Sequence, residues 1–180
     1  MIAAMEALAR HGDDRTPIGE AWPLAQEILE MLADLPGVEK TAGAGSLRRY
    51  QETIGDIDLL VAAQDSAQIM ETFVNWPQVE SVSGHGATKS SVVLLNGMQV
   101  DLRVLPPERW GTLLSYFTGS KNHNVRLREL ALKQGLSLNE HAFTPENGDP
   151  EILCDTEEKS VCYPGTALHH PHPAPGYGGN

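Results

Sequence analysis

Cysteine is nearly absent from this 180-residue chain, with Cys154 and Cys162 the only two. One pair builds no disulfide framework and fits no zinc-binding spacing, so a reducing, cytosolic setting is the default expectation. Long apolar runs are missing as well. No stretch of about eighteen apolar residues occurs, which excludes a membrane-spanning helix. The opening MIAAMEALARHGDDR lacks the basic start and long apolar run of a secretory signal. Cations are the third shortage. Thirteen Lys and Arg stand against 24 Asp and Glu, a net charge of −11, which excludes a surface coated for nucleic acid. The cations that exist are unevenly placed. Lys121, Arg126, Arg128 and Lys133 oppose only Glu129 between residues 121 and 135, whereas six acids oppose Lys159 between residues 144 and 160.

With 41% apolar residues the chain can pack a core, and its length suits one domain or one domain with a smaller appendage. RTPIGEAWPLAQEILEMLADLPG has helical periodicity in Ile18, Ala21, Trp22, Ala25, Ile28, Leu29, Leu32 and Leu35. Thr16 is the expected N-cap, with Pro17 at the first position; Pro23 marks either a kink or the start of the regular part. A short strand over 38–43, a Gly-Ala-Gly-Ser turn and a strand carrying Asp56 and Asp58 follow. Asp65 or Ser66 caps a helix with Ile69, Met70, Phe73 and Val74 on its apolar face, stopped by Pro77. SSVVLLNGMQVDLRVLP predicts a hairpin with Asn96-Gly97 in a type I′ turn. Trp110, Leu113, Leu114 and Phe117 share a helical face closed by Gly119, a basic helix covers about 123–134, and LSLNEHAF reads as a strand. From residue 161 the Pro-, Gly- and His-rich sequence is expected to be a disordered tail, its His169, His170 and His172 included.

The acids inside the apolar strand GDIDLLV ask for an explanation. Side chains alternate along a strand, so Asp56 and Asp58 share one face and Ile57, Leu59 and Val61 the other. In QVDLRV the same rule sets Asp101 opposite Val100, Leu102 and Val104. If the two strands are neighbours, three carboxylates converge. Two charges ~4 Å apart repel by about 4 kcal/mol at an effective dielectric near 20. Divalent cations reverse that sign, and magnesium takes carboxylate oxygens together with substrate phosphates. Alone, an Asp-x-Asp pair reads as solvent-face acids; the preceding segment shifts the reading. Gly45-Ser46 opens a helical turn after a strand, where free N–H groups favour phosphate, and Arg49 reaches the same place.

GSLRR, GDIDLLV, VDLRV and YFTGSKNHNVRLRELALKQGLSLNEHAF together resemble the catalytic core of family X DNA polymerases, nearest the bacterial enzymes, over roughly residues 15–158. The resemblance implies an α/β (α+β) fold of the polymerase beta-like nucleotidyltransferase type, with a mixed-sheet palm over 15–105, a small thumb over 106–160, an N-terminal remnant over 1–14 and the tail over 161–180. It implies that Asp56, Asp58 and Asp101 bind two Mg2+ ions, with Mn2+ as an alternative, and that Asp101 helps activate the primer 3′-hydroxyl. Gly45, Ser46, Arg49 and, by a weaker match, Arg15 resemble the triphosphate contacts. Tyr116, Phe117 and Gly119 resemble the sugar pocket that disfavours ribonucleotides. Asn124 falls where the family contacts the minor-groove edge of the incoming nucleotide. Arg128 and Arg126 fall on the DNA side, and Arg103 falls at a position that switches between open and closed forms.

What the resemblance implies for function is transfer of dNMP from dNTP to a primer 3′-hydroxyl, in gap-filling DNA repair on primer-template or gapped DNA, in the bacterial cytoplasm and away from membranes. Gln99 and Lys121 depart from the animal enzymes, which carry an arginine and an acid there. The helix-hairpin-helix and phosphoesterase modules expected in full-length relatives are not recognisable in the sequence. Two other readings therefore stand beside the first: a nucleotide- or DNA-binding fragment with little or no turnover, and a small-molecule or tRNA nucleotidyltransferase sharing GS and DxD.

Overall fold

The computed structural model describes residues 15–162. Its first elements are β1 (Thr16–Pro17), α1 (Ile18–Ala33), β2 (Val38–Gly43), α2 (Gly45–Arg48), β3 (Thr53–Ile54), β4 (Asp56–Ala63) and α3 (Ala67–Val74). Then come β5 (Val79–His85), β6 (Lys89–Leu94), β7 (Gln99–Leu105), a 3-10 turn (Pro107–Arg109) and α4 (Trp110–Thr118). The chain closes with α5 (Lys121–Lys133), β8 (Leu136–Leu138), β9 (Phe143–Pro145) and α6 (Glu157–Cys162). The stretch 1–14 and the histidines of the tail lie outside the described residues.

Five strands form one mixed sheet in the order β2-β4-β7-β6-β5, in which only the central β4–β7 pair is parallel. The expected α/β fold with a mixed sheet is therefore present. Period-2 patterning on β4 and β7 sends Ile57, Leu59, Val61, Val100, Leu102 and Val104 to one face, all at most 1% exposed. There they meet Ile28 and Leu32 of α1 and Phe73 of α3. The opposite face is not open to solvent throughout. Its far half, Leu60, Ala62 and Leu105, packs under Trp110, Leu113 and Leu114 of α4. Only the near half, which carries the acids, stays uncovered. A third cluster, Leu127, Ala131, Leu136, Leu138, Phe143 and Cys154, holds α5 to the β8–β9 pair.

Several local expectations are corrected. Thr16 does not cap α1, because Thr16 and Pro17 pair with Ile54 and Thr53, and the Ile18 N–H donates to the Glu52 carbonyl at 3.0 Å. Pro23 lies inside α1, so the helix does not begin there. The Asn96-Gly97 hairpin is not type I′, which needs φ > 0 at both central residues. Gly97 alone is left-handed (φ +84), the Gly97 N–H donates to Leu94, and Asn96 Oδ1 accepts from the Met98 N–H at 3.0 Å. LSLNEHAF is not one strand, since Asn139 Oδ1 accepts from the His141 and Ala142 N–H groups and folds the chain back between β8 and β9. Helix α6 runs to Cys162, two residues into the stretch read as tail. Strand β5 was not anticipated. It is an edge strand, paired only with β6 and largely exposed, so it shows no apolar alternation.

Candidate active site

Parallel pairing of β4 with β7 sets Asp58 directly against Asp101 and Asp56 against Gln99. The three carboxylates thus sit on two adjacent strands and the same face. Burial first, then the charges of Asp56 and Asp101, push the Asp58 carboxyl up to about 7, against the lowering influence of Arg103 and Lys89. Burial acts upward on Asp101 too, but hydrogen bonds from Lys89, Ser91 and Gln99 outweigh it and hold that carboxyl below its ordinary value. Lys89 Nζ lies 2.9 Å from Asp101 Oδ2, and Gln99 Nε2 donates to Asp101 Oδ1 at 3.1 Å. Among the described residues no three acids, histidines or cysteines stand close enough to form a ready-made metal-ligand set.

Helix α2 meets this patch through a glycine. Gly45 has φ +55, and a Cβ there would collide with the Asp58 carboxylate. Glycine is therefore required both for the turn and for the close approach. The Ala44 N–H donates to the Asp58 carbonyl at 2.8 Å, fixing the start of α2 beside the acids. A cleft of about 540 Å³ opens here. Gly45, Ser46 and Arg49 line it on the α2 side, Asp56 and Asp58 on its floor, and Arg15 at its edge. Arg15 is held by Thr53, with Nε 2.9 Å from Thr53 Oγ1.

The end of α4 forms the far wall. Tyr116, Phe117 and Gly119 line the cleft, followed by Asn124 and Arg128 from α5. The Tyr116 and Phe117 rings meet edge to face at 5.5 Å. Gly119 has φ +63 and ψ −154, a region open essentially only to glycine, and a Cβ there would press on Arg49 Nη1 at 3.3 Å. Asn124 Nδ2 donates to the Tyr116 carbonyl at 2.6 Å, while its Oδ1 is buried and unpartnered. Such an acceptor is costly unless something donates to it.

Three sequence-stated positions lie off the cleft wall: Asp101, Arg103 and Arg126. Asp101 is engaged by Lys89. Arg126 is exposed on α5. Arg103 stacks on the Phe117 ring at 4.3 Å and lies 3.8 Å from Glu140. Sequence reading also missed residues that shape the site. Gln51 and Lys121 line the cleft. Arg48 Nη1 and Nη2 grip the Glu157 carboxylate at 2.7 and 2.8 Å, and Nη1 also donates to Thr118 Oγ1. Arg49 donates to the Thr118 carbonyl. Arg48 at the end of α2 and Arg49 just after it thereby tie this part of the chain to the end of α4 and to α6. The Arg-Arg pair was visible in sequence, but nothing there marks a partner 109 positions away.

This arrangement can be set beside known proteins. Residues 113–162 match the family model for the DNA polymerase beta thumb. The chain is 37% identical over 150 residues to the DNA polymerase/3′-5′ exonuclease PolX of Bacillus subtilis (strain 168), covering 81% of this chain and 26% of that protein. The chain belongs to the family X DNA polymerases. DNA polymerase lambda of Rattus norvegicus is 30% identical over 168 residues, covering 79% of this chain and 29% of that protein. This family X chain thus spans about a quarter of the length of these curated relatives. No helix among its described residues is long and apolar enough to cross a membrane.

Proposed function

We propose that the chain is the palm (15–105) and thumb (106–160) of a cytoplasmic, template-directed DNA polymerase that adds dNMP from dNTP to a primer 3′-hydroxyl during gap filling. The observation that carries this is Asp56 and Asp58 in the cleft lined by Ser46, Arg49, Tyr116 and Asn124, with Asp101 beside Asp58 on the neighbouring strand. The patch suits magnesium chemically. Its donors are all hard carboxylate oxygens, and one of them, Asp58, is so disfavoured as an anion that a divalent charge would relieve it. Asp56 and Asp58 would hold both ions and Asp101 one of them, once Lys89 gives up its pairing. Bound there, the ions supply charge neutralisation and an activated attacking oxygen.

The remaining work falls to the chain's own groups. Ser46, Arg49 and Arg15 hold the triphosphate, with Arg49 exchanging the Thr118 carbonyl for phosphate oxygens. Tyr116 and Phe117 press against the sugar and exclude a 2′-hydroxyl, and Gly119 lets the chain pass close to Arg49. The buried Oδ1 and the amide of Asn124 face the base edge. Arg128 meets the template strand from the cleft rim, and Arg126 meets DNA from outside it. Arg103, placed between Phe117, Glu140 and the field of Asp58, switches partners as the thumb moves.

Primer extension on a gapped duplex, comparing wild type with Asp101→Ala, tests this. The variant should lose about a thousand-fold or more in extension, as removal of several kcal/mol of metal-assisted stabilisation implies. Equal extension by both chains contradicts it.

A further inference from the structure

Immediately after Arg49 the chain does something unfavourable. Tyr50 adopts φ +53, the one non-glycine residue with positive φ among the described residues. The Tyr50 N–H donates to Leu47 at 3.1 Å and the Gln51 N–H to Ser46 at 3.2 Å, the paired bonds of a helix C-terminal turn in which glycine is favoured. A tyrosine is kept where its Cβ is disfavoured. Its ring is not buried in compensation. One face stacks on Trp22 at 5.6 Å and 21°, and the residue stays 53% exposed.

The exposed ring borders a second cleft of about 530 Å³, lined also by Arg15, Gln51, Glu52 and Thr53. Arg15 and Gln51 border the main cleft as well, so the two clefts are contiguous at these residues. Neither Tyr116 nor Asn124 lines the second cleft. With the triphosphate read as held by Ser46, Arg49 and Arg15, a group that reaches Tyr50 extends past Arg15 from the phosphates. The lining has one cation, Arg15, and one acid, Glu52, too little positive charge to hold a phosphodiester strand. It does offer an aromatic face with amide and carboxylate partners for exocyclic base groups.

We propose that the Tyr50 cleft is a second nucleobase subsite, so that the chain binds dinucleoside 5′,5′-polyphosphates, one nucleoside in the main cleft and the other stacked on Tyr50. This rests on reading the main cleft as the nucleotide site. Isothermal titration of the 180-residue chain with magnesium, using dATP and 2′-deoxyadenosine–adenosine 5′,5′-tetraphosphate as probes, tests it. The tetraphosphate is expected to bind about ten-fold more tightly than dATP, the scale of one base–aromatic stack. Tyr50→Gly suits the backbone, so its melting temperature should not fall; it should erase the margin and leave dATP affinity unchanged, and Tyr50→Phe should keep the margin. Equal affinities in wild type, or a margin that survives Tyr50→Gly, overturn the subsite while leaving the dATP site standing. No binding of dATP by wild type overturns the nucleotide-cleft reading and the subsite with it.

Discussion

Along β4 and β7 the two faces of one sheet obey different rules. On one face Ile57, Leu59, Val100 and Leu102 are wholly buried against α1 and α3, and every contact lowers the free energy of folding. On the other face, at the same heights along the strands, Asp58 faces Asp101 and the chain holds like charges together. The face splits again along its length, since Leu60, Ala62 and Leu105 return to core beneath α4. Stability built on one whole face and on half of the other thus supports a patch that works against stability on the remaining half. That is the pattern expected of a site whose missing partner is a cation.

The contrast can be tested from its strong side. Ile57→Ala leaves a hole between the sheet and α1, and should cost about 3 kcal/mol in urea unfolding, within the usual range for a fully buried aliphatic truncation. Asp58→Asn should do the reverse. The Asp58 carboxyl is raised in the folded state, so the folded chain binds its proton more tightly than the unfolded chain. The associated stability is present at acid pH and lost as pH rises from the ordinary carboxylate value towards about 7. In the absence of divalent ions the variant should therefore be more stable than wild type at pH 8, by on the order of 2 kcal/mol, with the margin closing towards pH 4. Chemical melts at both pH values read this out, and a variant less stable than wild type at pH 8 would break the contrast.

Smaller effects probe the supports. Arg48→Ala removes the two-pronged grip on Glu157 and the bond to Thr118. Both partners of the ion pair are about a quarter exposed, so the loss should be about 1–2 kcal/mol in thermal unfolding. Lys89→Met should destabilise the metal-free chain by about 1 kcal/mol or less, because the Lys89 side chain is 43% exposed and its ion pair is screened by solvent. The sign follows from Asp101, whose lowered carboxyl contributes stability above its unfolded value and loses it as pH falls through the folded one. The same variant should bind magnesium more tightly, by a few-fold in calorimetry, if Lys89 competes for Asp101.

Much of this was legible in the residues because it rests on period. The alternation of GDIDLLV and QVDLRV placed the acids on one face and the aliphatics on the other, and adjacent pairing of the two strands did the rest. The turn GAGS, the helices 67–74 and 110–118 and the basic helix followed from spacing and caps. What was hidden depends on distant or weakly patterned groups. Asn139 redirects the chain through a side-chain acceptor that composition does not reveal, and at Asn96-Gly97 the hairpin was legible but not its turn type. Strand β5 is too exposed to carry a pattern. Lys89 and Glu157 meet their partners only through tertiary structure, so the cation on Asp101 and the clasp on Arg48 could not be foreseen.

The most direct measurement of the central claim is the melting temperature at pH 8 as magnesium is titrated, in wild type and in Asp58→Asn. The account predicts that magnesium raises the wild-type value by several degrees, as a ligand of the folded state must, and that dATP with magnesium raises it further. The variant should start higher and respond to magnesium little or not at all. An identical rise in both proteins, or none in either, would contradict it.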